Sequence, residues 1–108
     1  MKGYVYLIFD NNTGLCKIGM TKNEPYKRVK QLQTGNSTVL TLLKSVETAY
    51  PFKLETLMHC NFKDKKINGE WYELSEDDIK GFETTCSQKI NLIEALKDNH
   101  FFAKNGLK

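Results

Sequence analysis

A run of apolar and aromatic positions opens the chain. Residues 4–9 read Tyr-Val-Tyr-Leu-Ile-Phe, dense in β-branched and aromatic side chains, and run into Asp10-Asn11-Asn12-Thr13-Gly14. That pattern predicts a strand followed by turn chemistry. Residues 15–20 read as a second strand. With residues 11–14 as the loop and Asp10 facing Leu15, Phe9 meets Cys16, Leu7 meets Ile18 and Val5 meets Met20. Every pair on that face is apolar, so it is the face expected to be buried, and a one-residue slip would destroy the agreement. The opposite face then holds Tyr4, Tyr6, Ile8, Lys17, Gly19 and Thr21.

Helical spacing follows. Pro25 suits a first helical position, and Tyr26, Val29 and Leu32 recur at helical intervals up to Gln33, with Arg28 off their stripe. Thr34-Gly35-Asn36-Ser37 ends that helix, and residues 39–46 read as a third strand. Pro51 opens a second helix through about Phe62, apolar at Leu54, Leu57, Met58 and Phe62. Asn68-Gly69 marks a turn before a short extended segment, Glu70-Trp71-Tyr72, in which Trp71 reads as a core anchor. Ser75 with Asp78 three residues on resembles a capping box, with Leu74 and Ile79 as its hydrophobic staple. One helix from there carries an apolar stripe through Ile79, Phe82, Cys86, Ile90, Ile93 and Leu96. The order is ββαβα plus a C-terminal helix. It predicts an α+β fold: a small mixed or antiparallel three-stranded sheet flanked by helices. The expected domain spans residues 1–97, with 98–108 as a tail.

Length and composition narrow the class. At 108 residues the chain supports one core. No stretch approaches the apolar length of a membrane span, and the chain opens on a strand where a signal peptide would be apolar, so neither membrane nor export is expected. The three cysteines, Cys16, Cys60 and Cys86, are widely spaced and form no CxxC pair, which supports neither a disulfide framework nor a zinc site. A cytoplasmic location is the expectation. The net charge of +3 is too small to indicate a partner, but its distribution is uneven. Lys17, Lys22, Lys27, Arg28 and Lys30 cluster with Glu24 as their one opposing charge; Lys63, Lys65 and Lys66 form a second basic run, and residues 70–83 are acidic. A basic face beside an acidic one suits a phosphate backbone approached from one side, although a solvated surface with uneven charge has the same composition.

Two constellations carry candidate chemistry. In the hairpin register Gly19 lies across from Tyr6 and leaves room for its ring or for a substrate's backbone. Lys17 is diagonal to Tyr6, about 7–8 Å away between backbones. An ammonium there would favour the phenolate, as a tyrosine general base needs. The plain alternative is a solvated hairpin face whose aromatics cover a neighbour. On the second helix Glu55 and His59 are four residues apart and share a face. They suit a metal ion and its water, or an ordinary surface pair.

With Arg28 and Glu55 added, the chain resembles the GIY-YIG nuclease superfamily. Tyr4-Val5-Tyr6 stands where that family has Gly-Ile-Tyr, and Lys17-Ile18-Gly19 where it has Tyr-Ile-Gly, ten residues apart. The runs 17–22 and 28–36, with Gly69-Glu70-Trp71-Tyr72, are similar to the branch named after an open reading frame of bacteriophage T5. The resemblance covers residues 3–75 and implies a magnesium- or manganese-dependent endonuclease acting on DNA. Tyr6 would serve as general base or place the attacking water, Arg28 would hold the scissile phosphate, and Glu55 would bind a single divalent cation. Lys17 departs from the usual tyrosine, and its charge could lower the Tyr6 pKa or steady phosphate charge; Tyr4 replaces the first glycine. His59 joins the expected site against phosphate or water. Tyr4, Gly19, Thr21, Lys22, Lys27 and Lys30 are expected to face nucleic acid, and Glu70 to support Arg28 or Lys17; the sequence alone does not make Glu70 a metal ligand. The alternative is a nucleic-acid-binding or regulatory module that keeps the fold but cuts poorly. A third is an interaction role through the C-terminal helix. A compact module of this kind also suggests a homo-oligomer or a targeting partner.

Overall fold

The computed structural model describes residues 2–35 and 37–97. The expected tail, 98–108, lies outside the described residues, as does Asn36 of the turn after the first helix. The elements are β1 (Gly3–Asp10), β2 (Cys16–Thr21), α1 (Pro25–Gln33), β3 (Leu40–Thr48) and α2 (Pro51–Asn61). A 3₁₀ turn (Lys63–Lys65) then leads into β4 (Lys66–Asn68), β5 (Trp71–Tyr72), α3 (Glu76–Lys80) and α4 (Phe82–Lys97).

The fold class is as expected, an α+β arrangement around an antiparallel sheet, but among the described residues that sheet has five strands in the order β3-β1-β2-β5-β4. The two additional strands are the short segments on either side of Gly69, whose φ of 51° makes the tight turn that only glycine adopts freely. The β1–β2 register is the one the alternation predicts, with Val5 opposite Met20, Leu7 opposite Ile18 and Phe9 opposite Cys16. Asp10 fixes the loop by accepting from the backbone N–H groups of Asn12, at 2.8 Å, and Thr13, at 3.2 Å. A bulge shifts the β1–β3 pairing between Leu7, opposite Lys44, and Ile8, opposite Leu42, leaving Leu43 as the extra residue; Leu43 packs on the larger core and Leu42 on the smaller.

Both faces of the sheet are covered. Val5, Leu7, Cys16 and Ile18 pack under Leu54 and Met58 of α2, Phe62 just after it, and Phe82, Cys86 and Ile93 of α4. On the other face Tyr6, Ile8 and Leu40 pack with Val29 and Leu32 of α1, and with Leu42 and Trp71. The hairpin's second face is therefore no open, solvated surface: Tyr6 is 1% exposed and Ile8 fully buried. Trp71 anchors this smaller core, as its lone large indole suggests.

The C-terminal helix divides where one was expected. Ser75 and Asp78 form a reciprocal capping box at the start of α3. Gly81 closes α3 by donating its N–H to Asp77 O at 2.9 Å, and α4 begins at the next residue. The predicted apolar stripe is mostly used inside this chain, since Phe82, Cys86 and Ile93 are buried. Leu92 remains exposed beside Phe52, lining a groove of about 330 Å³ between α2 and α4. No helix among the described residues is long and apolar enough to cross a membrane.

Candidate metal centre

Helix α2 lays one side on the sheet through Leu54 and Met58, each fully buried and four residues apart. Glu55 and His59 sit one residue further round at the same spacing. They are consequently half-buried on the flank that overhangs β2. The His59 ring reaches the strand itself: Nε2 lies 2.8 Å from the carbonyl oxygen of Ile18. A carbonyl only accepts, so Nε2 carries the proton and donates it. The ring also meets Tyr72, with centroids 5.5 Å apart.

Glu70 arrives from the other side. Its carbonyl accepts from Ile18 N–H at 3.1 Å, which extends the β2–β5 ladder by one bond and fixes its backbone beside the strand. Its side chain spans two neighbours. Oε2 accepts from Lys17 Nζ at 2.9 Å, and Oε1 lies 4.0 Å from His59 Nε2. Lys17 is enclosed, with its side chain 12% exposed and its ammonium 5.8 Å from the Trp71 ring centroid. The donor atoms of Glu55, His59 and Glu70 all lie within 4.8 Å of one another.

These groups perturb each other in opposite directions. Burial pushes the Glu55 carboxyl above the usual range; the neighbouring Glu70 adds to this, against the pull of His59 and Lys17. Burial also acts to raise Glu70, but the hydrogen bond and charge of Lys17, with His59 and Glu55, outweigh it and hold this carboxyl below its usual value. Tyr72 is pushed up by burial and by the two carboxylates. As pH falls, Glu55 is the member of the acid pair that takes up a proton first. Two carboxylates and an imidazole converging on one spot are a donor set for a hard or borderline divalent cation. With Nε2–H donated to Ile18, the lone pair His59 can offer a cation is the one on Nδ1, alongside the two carboxylates.

The other residues singled out by sequence lie around this cluster. Tyr6 stands across from Gly19, and its ring fills the space that a side chain there would need: an ideal Cβ on Gly19 would fall 2.5 Å from Tyr6 Cζ. Of the two uses the sequence allowed for that gap, the ring takes it. Lys17 shares the Tyr6 face but turns its ammonium to Glu70. Glu70 thus supports Lys17, one of its two expected partners, and also belongs to the metal-competent group. Arg28 is half-buried on α1 and donates from Nη1 to Gln31 Oε1 at 3.3 Å. Among the described residues, neither Arg28 nor Tyr6 shares a hydrogen bond or ion pair with Glu55, His59 or Glu70. Tyr4 and Thr21 pair at one end of the hairpin. Lys22, Lys27 and Lys30 are exposed, Lys22 lying over the Phe52 ring and Lys30 over the Tyr26 ring.

The placement of Glu70 and Tyr72 against α2 had no signal in residue spacing. Only the pairing of β5 with β2 brings them there.

The model of the T5orf172 domain matches residues 3–87, most of the chain. No curated protein and no solved structure matches it. Domains of this kind are nuclease-related, which brings nucleic-acid binding with it. A hairpin carrying Tyr6 and Lys17, an α1 arginine and an α2 glutamate in a donor cluster, with a family match over 3–87, make the chain a member of the T5orf172 domain family, within the GIY-YIG nuclease superfamily.

Proposed function

We propose that this protein is a divalent-metal-dependent endonuclease that hydrolyses DNA phosphodiester bonds. The observation that carries this is the convergence of Glu55, His59 and Glu70 within 4.8 Å in a nuclease-family chain. Glu55 would hold the cation, Mg2+ or Mn2+. Bound there, the ion would supply Lewis-acid stabilisation of phosphate charge. The chain's own residues do the rest. Water attacks phosphorus, the new P–O bond forms as the bond to the leaving oxygen breaks, and Tyr6 takes or relays the water's proton. Arg28 holds the scissile phosphate, and Lys17 lowers the electrostatic cost of the added negative charge from beneath. Tyr4, Thr21, Lys22, Lys27 and Lys30 would carry the neighbouring backbone, with Gly19 offering only main chain beneath the Tyr6 ring.

One observation favours a second reading, a nucleic-acid-binding module that cuts poorly. Tyr6 is 1% exposed, more enclosed than a base that must meet a substrate water. Nicking of supercoiled plasmid separates the two. With Mg2+ or Mn2+ against EDTA, wild type should nick and Glu55→Ala should not, while the variant keeps its fold and most of its salt-sensitive DNA affinity. Cleavage that survives Glu55→Ala would remove Glu55 from the mechanism. Binding with no cleavage by wild type would leave the binding module.

A further inference from the structure

Glu70 has two oxygens with different neighbours. Oε2 is taken by the Lys17 ammonium at 2.9 Å. Oε1 points the other way, into the space shared with Glu55 and His59, 4.0 Å from His59 Nε2. The residue has little freedom to leave. Its carbonyl is tied to Ile18 N–H at 3.1 Å, and the preceding Gly69 holds the turn with a φ of 51°.

A simple counter-ion for Lys17 would not need the second carboxylate. The carboxylates of Glu55 and Glu70 lie within 4.8 Å of one another, yet among the described residues the Lys17 ammonium is the one cation hydrogen-bonded to the pair, and His59 commits its Nε2 proton to a neutral carbonyl. Two half-buried carboxylates held together with one cation retain an excess negative charge in a place of reduced dielectric. A divalent ion between the free oxygens would relieve it. The bridging use of Glu70, one oxygen on a fixed ammonium and one on the ion, is also how a ligating carboxylate is oriented by a partner outside the coordination sphere.

Building on the metal-dependent reading above, we propose that Glu70 is a second carboxylate ligand of the cation held by Glu55, with Lys17 orienting it through the other oxygen.

The test is Mn2+ affinity of the full chain without DNA, read by electron paramagnetic resonance of free Mn2+. Even partners outside the coordination sphere change metal affinity by about 10–100-fold, so loss of a direct ligand should do no less. Glu70→Gln is expected to raise the Mn2+ Kd at least tenfold, as Glu55→Gln does, with circular dichroism unchanged. If Glu70→Gln fails to fold, Glu70→Asp keeps the charge but shortens its reach and should raise the Kd by a smaller factor. A Glu70 variant that binds Mn2+ within twofold of wild type while Glu55→Gln binds poorly would overturn the second ligand and leave a one-carboxylate site. Wild type that binds no Mn2+ would overturn both the second ligand and the metal-dependent reading beneath it.

Discussion

Gly19→Ala is the smallest change that interrogates the packing beneath the site. The glycine is not there for an unusual backbone, since the positive-φ glycines are Gly14, Gly35 and Gly69. It is there for space. A methyl at this position would lie 2.5 Å from Tyr6 Cζ and 2.9 Å from Cε1, where ordinary contact begins near 3.4 Å. The tyrosine must therefore move by about 1 Å. Its ring is enclosed by Ile8, Leu40, Val29, Leu32 and Trp71, so it cannot swing into solvent. Overpacking of this kind costs about 1–3 kcal/mol. The entropy that alanine removes from the unfolded chain offsets about 0.4–1 kcal/mol. The net loss should be about 1–2 kcal/mol, roughly 5–10 °C in Tm for a domain of this size. Urea and thermal unfolding would measure it, and a double-mutant cycle would assign it: in a Tyr6→Ala background, Gly19→Ala should become neutral or stabilising. Cleavage should fall more than DNA affinity, because Tyr6 moves and the basic surface does not. A Gly19→Ala protein as stable as wild type would show that the Tyr6 ring does not rest on Gly19, and the assignment of Tyr6 to a fixed place beside the site would go with it.

Two further outcomes follow from the electrostatics. A carboxyl whose folded pKa is raised favours the fold while protonated; that contribution is complete below its unfolded value, near 4.5, and is lost as pH rises through the folded one. Ionised Glu55 thus weighs against the metal-free fold at neutral pH, and Glu55→Gln in EDTA should be at least as stable as wild type at pH 7, with the difference closing near pH 4; a Gln variant less stable at pH 7 would contradict this. Asp78 has the opposite sign: burial would raise it, but Lys65 and the Ser75 cap lower it, so its contribution is present above its unfolded value near 3.8 and is lost as pH falls through the folded one. Asp78→Ala should cost about 1 kcal/mol in urea melts at pH 7, the size of a lost helix cap, and progressively less in acid; an equal loss at both pH values would point to packing in place of charge.

What the sequence made legible was whatever has a period. Alternation between 4–9 and 15–20 set the β1–β2 register pair by pair, because one slip would have turned Val5, Leu7 and Phe9 to the other face. Helical spacing located α1 and α2 to within a residue, with Pro25 and Pro51 as their first residues. The same spacing put Glu55 and His59 together. Segments too short for a period were not legible: Lys66–Asn68 is exposed throughout, and Trp71–Tyr72 has only two residues. The burial of the Tyr6 face was hidden for a different reason. Tyr6, Lys17 and Thr21 look polar in a row, and only the approach of Val29 and Leu32 shows that Ile8 sets that face's character. Glu70 stands 15 residues beyond Glu55, and a ladder contact between distant strands has no local signature.

The sheet order gives the candidate centre a place in time as well as in space. The β1–β2 hairpin closes over a short loop, whereas the Lys17–Glu70 contact beside the β2–β5 pairing closes across 53 residues. Loop closure of that length carries an entropic penalty before any contact rewards it. The hairpin can therefore form before either carboxylate of the cluster reaches it. β5 has only two residues, and its outer neighbour β4 is exposed throughout, so this end of the sheet has little packing to resist opening. An ion held by both Glu55 and Glu70 would pin α2 to the start of β5, making the cation a fastener of the β2–β5 seam and slowing amide exchange at Ile18 in the same stroke.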